Sequence, residues 1–152
     1  MSWRGFTASF TEVAVTAQQD LFQIEAQTVP ARLVGLYLSQ TSDVGDASAE
    51  GLSILIRRVT DAVTNDITEA KLDNGSAAAN ANLAVNETTE LVTGATTIHA
   101  DSWVLPNNLL WLPTPEMYIV VEVGNTVVVN LNTTPADSLT MSGTLYFQEI
   151  GS

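Results

Sequence analysis

The chain has 152 residues, of which 17 are Asp or Glu and 5 are Lys or Arg, for a formal charge of -12. It has no cysteine, which excludes a disulfide frame, a thiolate zinc site and a thiol nucleophile. With 45% hydrophobic and only 14% charged residues it is expected to fold around one core; it can hardly build the basic patch a nucleic-acid reader needs, and an anionic membrane repels it.

From the N-terminus, Met1 to Thr7 holds no long apolar run after Arg4, so no secretory signal is expected there. No apolar run approaches the roughly 20 residues of a membrane helix. Synthesis in the cytoplasm is the expectation that follows. Phe6, Ala8 and Phe10 share one parity while Val13 and Val15 share the other, and a β-bulge near Thr11–Glu12 reconciles them. Ala31 to Gln40 is nearly continuous in apolar residues, as expected of a strand covered on both faces. Asp43-Val44-Gly45-Asp46 places two carboxylates around a glycine. It fits an Asp-capped turn and offers Asp43 and Asp46 as weak calcium ligands, without the remaining ligands of an EF-hand. Leu52, Ile54 and Ile56 then alternate with Ser53, Leu55 and Arg57 as a further strand.

Residues 60–91 break the pattern. No strand is evident there. Asp66 to Leu72 suggests one short helix stopped at Asn74-Gly75, followed by the near low-complexity run Ser76 to Asn82. Long segments of this kind in compact domains tend to be functional. The expectation is an arm that contacts neighbouring subunits, with a plain surface loop as the alternative. Asn74, Gly75, Ser76, Ala77, Asn80 and Asn82 are its contact candidates, and Trp3 and Arg4 join them from the N-terminus.

Thr96 to Val104 and Leu109 to Leu112 read as strands, and Pro113-Thr114-Pro115-Glu116 as a rigid extended link. Met117, Ile119, Val121 and Val123 point one way, and after Gly124-Asn125 so do Val127, Val129 and Leu131. The Gly-Asn pair predicts a tight two-residue hairpin between them. Leu139, Met141, Leu145 and Phe147 line one face of a last strand, with Gly143 marking a bulge or a close backbone approach. About eight strands between Gly, Pro, Asn and Asp turns predict an all-β fold, an antiparallel β-sandwich of jelly-roll type. It is one domain over 1–152 with 60–91 as an ordered insertion. Amphipathic helices of a βαβ fold are not evident.

Candidate chemistry is sparse. A Ser-His-Asp arrangement has to use His99, the single histidine, with Asp101 or Asp137 as orienting acid. There is no G-x-S-x-G elbow, and no catalytic residue is assigned. Trp103, Trp111 and Tyr118 suit either a sugar-stacking platform or the cap of the core, the core reading being preferred for the two tryptophans. Asn74-Gly75-Ser76, Asn86-Glu87-Thr88 and Asn132-Thr133-Thr134 match the glycosylation pattern, which has meaning only on a secretory route. No cofactor motif is present. Lys71 is the one lysine, and Thr, Ser, Asn and Gln must cover much of the surface. Such a surface is cheaper to desolvate than a charged one, which suits subunit contacts as well as it suits a sandwich that merely favours Thr and Val.

Four stretches carry a resemblance: Ala17 to Ile24, Gly35 to Asp46, His99 to Trp103 with Trp111 to Glu116, and Pro135 to Tyr146. In them the chain resembles small structural proteins of tailed bacteriophages and prophages. The resemblance spans most of the chain and is weakest over 60–91. It implies a virion component, first a capsid decoration (cement) protein on the exterior of the shell, made in the host bacterial cytoplasm and bound to the major capsid protein. It implies no enzyme and no catalytic residue. Local three-fold positions of a shell suggest a homotrimer. A tail or head-tail component and a carbohydrate-binding sandwich are the alternatives, with a hydrolase behind them.

Overall fold

The computed structural model describes residues 2–42 and 50–151. Asp43 and Asp46 lie outside the described residues, so the acidic turn has no structural account here. Among the described residues alternating apolar positions produce eleven strands, β1 (Ser2–Val15), β2 (Gln19–Glu25), β3 (Ala31–Gln40), β4 (Gly51–Val59), β5 (Ala70–Lys71), β6 (Asn82–Glu87), β7 (Thr96–Val104), β8 (Leu109–Trp111), β9 (Ile119–Val121), β10 (Thr126–Leu131) and β11 (Leu139–Gly151). The one helical piece among the described residues is a 3-10 turn at Pro115–Met117. None is long and apolar enough to cross a membrane.

Two antiparallel sheets face each other as a β-sandwich. The first runs β5-β1-β11-β3-β8, with β9 also on β3, and the second runs β6-β2-β10-β4-β7. Successive strands β1 to β4 alternate between the two sheets. Inward residues from both sheets fill the core, among them Phe6, Leu36 and Phe147 from the first and Phe22, Ile54 and Val129 from the second. Phe10 and Phe22 meet across the sheets at 5.3 Å between ring centroids. The parity change in β1 is a bulge as expected: the register with β11 shifts between Phe10 and Val13, and Glu12 takes φ 51°.

The expected hairpin does not form. β9 pairs with β3 in the first sheet, whereas β10 lies between β2 and β4 in the second. Period two identifies strands but not partners, and both strands point apolar residues into the same core. The turn itself exists, with Gly124 at φ 83° and the Asn125 amide donating to Glu122 O at 3.0 Å. It carries the chain across the sandwich because Gly124 N donates to Ala26 O (2.8 Å) and Ala26 N to Asn125 O (3.2 Å), tying it to the end of β2.

Residues 60–91 also depart from expectation. They hold two strands, β5 and β6, and no helix. A seven-residue helix gains little without packing. Extended, this stretch lets Ala70 and Lys71 pair with Thr7 and Phe6, and lets Leu72 N donate to Gly5 O at 3.0 Å. The segment is a strap tied to its own domain by hydrogen bonds. Val63 N donates to Glu25 Oε1 (3.0 Å), Asp66 N to Leu83 O (2.9 Å) and Leu91 N to Asp20 Oδ2 (2.8 Å). It covers the outer side of the second sheet, where Thr126 Oγ1 donates to Asp61 O at 2.6 Å, so all six residues of β10 are buried. β3, by contrast, is buried on its core face and only partly covered on the other, where Tyr37 is 37% exposed.

Candidate functional site

The strap brings several sequence candidates together. Trp3, Arg4, Gly75, Ser76 and Ala77 line one cleft of about 480 Å³ with Leu72 and Asp73. Its rim is an Asx-type turn: Gly75 N donates to Asp73 Oδ1 at 2.9 Å and Ser76 N to Asp73 O at 3.0 Å, with Asn74 exposed at the tip. Arg4 lies along Gly151, and its Nη2 is 3.7 Å from the fully buried Glu149 carboxylate. Asn80 and Asn82 do not join this cleft. The Asn80 amide is held by Glu149, and Asn82 Nδ2 donates to Val63 O at 3.2 Å. Both anchor the strap to the sandwich.

Trp3 takes part in a stack that the sequence does not signal. The Arg32 guanidinium sits 4.0 Å from the Trp3 ring centroid and 5.1 Å from that of Tyr118, while its Nε donates to Gln148 Oε1 at 2.8 Å. The guanidinium is thus held by two aromatic rings and one amide. The three residues come from distant parts of the chain, so no local motif could have announced them.

A second groove, of about 450 Å³, opens at the edge where β7 approaches β8 and β9. It is lined by Ile98, His99, Trp111, Pro113, Thr114, Met117 and Ile119. His99 Nε2 comes within 3.6 Å of Asp101 Oδ2, and its ring lies 5.6 Å from that of Trp111. The histidine and acid considered from the sequence are therefore neighbours, but at a distance too long for a hydrogen bond. Thr114 supplies the one hydroxyl among the described lining residues, and no serine lines the groove. Trp103 and Trp111 are 8% and 9% exposed and belong to the core cluster. With Tyr118 drawn to Arg32, the three aromatics do not form one platform.

The densest polar cluster lies under the strap. Asp20, fully buried, accepts from Gln23 Nε2 (2.8 Å), Leu91 N (2.8 Å) and Asn130 Nδ2 (3.0 Å), with Arg57 Nη2 at 3.8 Å. Burial pushes its carboxyl up, against the lowering effect of those hydrogen bonds and of the Arg57 charge. Beside it, the Asp66 carboxyl hydrogen-bonded to Glu87 pushes Glu87 up to about 7, with burial and the charges of Asp66 and Asp20 adding to the shift. Among the described residues no three His, Asp or Glu side chains gather as a metal site. No family model, curated protein or solved structure matches the chain.

Proposed function

We propose that the chain is a structural subunit that acts by burying surface, and that it is a capsid decoration protein of a tailed bacteriophage, seated on the outside of the major capsid protein shell. The observation that carries the structural part is the segregation of its charge. The six strands of the first sheet contain two carboxylates, Glu12 at the bulge and the buried Glu149. The second sheet contributes Asp20, Glu25, Glu87 and Asp101, and the strap between its strands adds Asp61, Asp66, Glu69, Asp73 and Glu90. Counted over their strands alone, the first sheet is nearly neutral and the second acidic, with Glu116 and Glu122 flanking β9 and Asp73 beside β5. A neutral face can be desolvated at low cost, while the acidic flank stays hydrated and away from packaged DNA. The four resembling stretches support the phage setting. Binding only the expanded shell stabilises it by the binding free energy.

Quantitative mass spectrometry of purified particles from the source phage tests this. The expected result is a copy number close to that of the major shell protein. A few copies per particle point to the tail or connector, and absence overturns the virion reading in favour of a sugar-binding role. In particles that do contain the protein, stripping it is expected to lower the temperature at which DNA escapes; an unchanged temperature counts against the cement role.

A further inference from the structure

We infer that Asn74 is a site of self-modification: the Gly75 amide nitrogen attacks the Asn74 side chain, the Asp73 carboxylate acts as base, and the residue becomes aspartate or isoaspartate. This is independent of the structural-subunit reading.

The attack needs an open approach. Asn74 is the one asparagine of the chain followed by glycine, so no side chain at position 75 crowds the nitrogen as it nears Asn74 Cγ. Ser76 N donates to Asp73 O at 3.0 Å, which puts Asn74 and Gly75 at the two central positions of a turn, both exposed to water. Other asparagines are tied down. Asn82 Nδ2 donates to Val63 O (3.2 Å), Asn108 Nδ2 to Tyr37 Oη (2.8 Å) and Asn130 Nδ2 to Asp20 Oδ1 (3.0 Å). Among the described residues no hydrogen bond holds the Asn74 side chain, so it can change rotamer and turn Cγ toward Gly75 N.

The attack also needs a base, because an amide nitrogen is a poor nucleophile while it keeps its proton. Gly75 N donates to Asp73 Oδ1 at 2.9 Å, within the reach expected of a general base. Glycine serves this contact as well: a Cβ at position 75 would lie 3.3 Å from Asp73 Oδ1 and press on the carboxylate. The steps balance. The proton passes from Gly75 N to Asp73, and the nitrogen lone pair forms a bond to Asn74 Cγ, closing a cyclic imide. The bond from Cγ to Nδ2 breaks, and the nitrogen leaves as ammonia with the proton Asp73 returns. One water then opens the imide. Addition at Cγ gives aspartate; addition at the backbone carbonyl gives isoaspartate, whose main chain is longer by one carbon. No electrons are exchanged with any other reactant, and the chain gains one negative charge at the rim of the cleft that holds Trp3 and Arg4.

The folded full-length chain, held in heavy-oxygen water at neutral pH and physiological temperature, tests this by peptide mapping with mass spectrometry. The expected result is label entering at Asn74 ahead of every other asparagine, partly as isoaspartate. Asp73→Asn keeps an acceptor in the same place but supplies no base, and is expected to slow conversion on the order of 10-fold. Its rate should follow hydroxide concentration fully, whereas the parent rate rises less steeply with pH. Asn74 that keeps its amide in the folded chain while the urea-unfolded chain converts overturns the inference. So does an Asp73→Asn variant that converts as fast as the parent, or one that is slower with the same dependence on hydroxide, since that would make Asp73 a mere brace for the turn.

Discussion

Glu149 holds Asn80 from the far end of the chain. Its fully buried carboxylate accepts from the Asn80 amide at 2.9 and 3.0 Å and from the Ala81 amide at 2.8 Å, with Arg4 Nη2 at 3.7 Å. A side chain of the last strand thus fastens a strap 69 residues earlier. Removing it strands two backbone donors and leaves the Arg4 charge unpaired. Glu149→Ala is expected to cost ~3–5 kcal/mol of stability, and Glu149→Gln, which keeps one acceptor, ~1–3 kcal/mol. Denaturant unfolding measures the loss, and hydrogen exchange locates it. The amides of residues 80 and 81 and of β6 lose protection first. Unchanged exchange there would show that β6 alone holds the strap.

The pair Asp66–Glu87 makes the strap sensitive to pH. Glu87 is raised to about 7 from an ordinary 4.5, chiefly by its hydrogen bond with the Asp66 carboxyl. Because the folded value lies above the unfolded one, the fold favours the protonated acid. That contribution is whole below pH 4.5, is lost as the pH rises through about 7, and is gone above it. Asp20, raised by burial, acts with the same sign. Solvent screening at the partly exposed Glu87 holds its share to ~1 kcal/mol or less. Melting temperature is therefore expected to fall between pH 5 and pH 8, and Glu87→Gln to flatten that slope while raising the pH 8 midpoint by about 2–4 °C. A variant that keeps the full slope would assign it to the general repulsion of an acidic chain.

Much of the sandwich was legible because one side of each sheet is core. The parities of Phe6, Leu52, Val127 and Leu139 each place a strand correctly, and even the bulge at Glu12 follows from a parity change. Partnership was not legible. β9 and β10 satisfy the same alternation whether or not they pair, and the hydrogen bonds between Ala26 and the Gly124–Asn125 turn that separate them come from another part of the chain. The strap misled for a different reason. Asn82 to Glu87 is a strand with only two inward apolar residues, Leu83 and Val85, too short an alternation to stand out. Its anchors, Glu25, Asp20 and Glu149, are acids that composition alone assigns to the surface. Of the contact candidates, Trp3, Arg4 and the Gly75 turn do share a cleft, but the Arg32 stack beside Trp3 has no sequence signature.

Gly143 shows how a residue that suggests backbone freedom can mark packing instead. Its pairing with Leu38 on β3 is regular, and on β1 it pairs with Phe10 where the β1 bulge begins, the extra residue belonging to β1. It sits on the inward parity between Met141 and Leu145. A Cβ would lie 2.9 Å from Leu38 Cδ2 and 2.9 Å from both Phe10 Cε1 and Phe10 Cζ. The Phe10 ring occupies the space a side chain would take, and the same ring reaches Phe22 in the opposite sheet. Adding volume must push that ring off its cross-sheet contact. Gly143→Ala is expected to cost ~1 kcal/mol and Gly143→Val ~3 kcal/mol, despite the general preference of strands for β-branched residues. Phe10→Leu opens room at the same point, so the two changes should couple in a double-mutant cycle by ~1 kcal/mol in the favourable direction. Urea unfolding of the four proteins measures this. Additive losses, or a Gly143→Ala variant more stable than the parent, would mean that the ring yields freely and that glycine is not required there by packing.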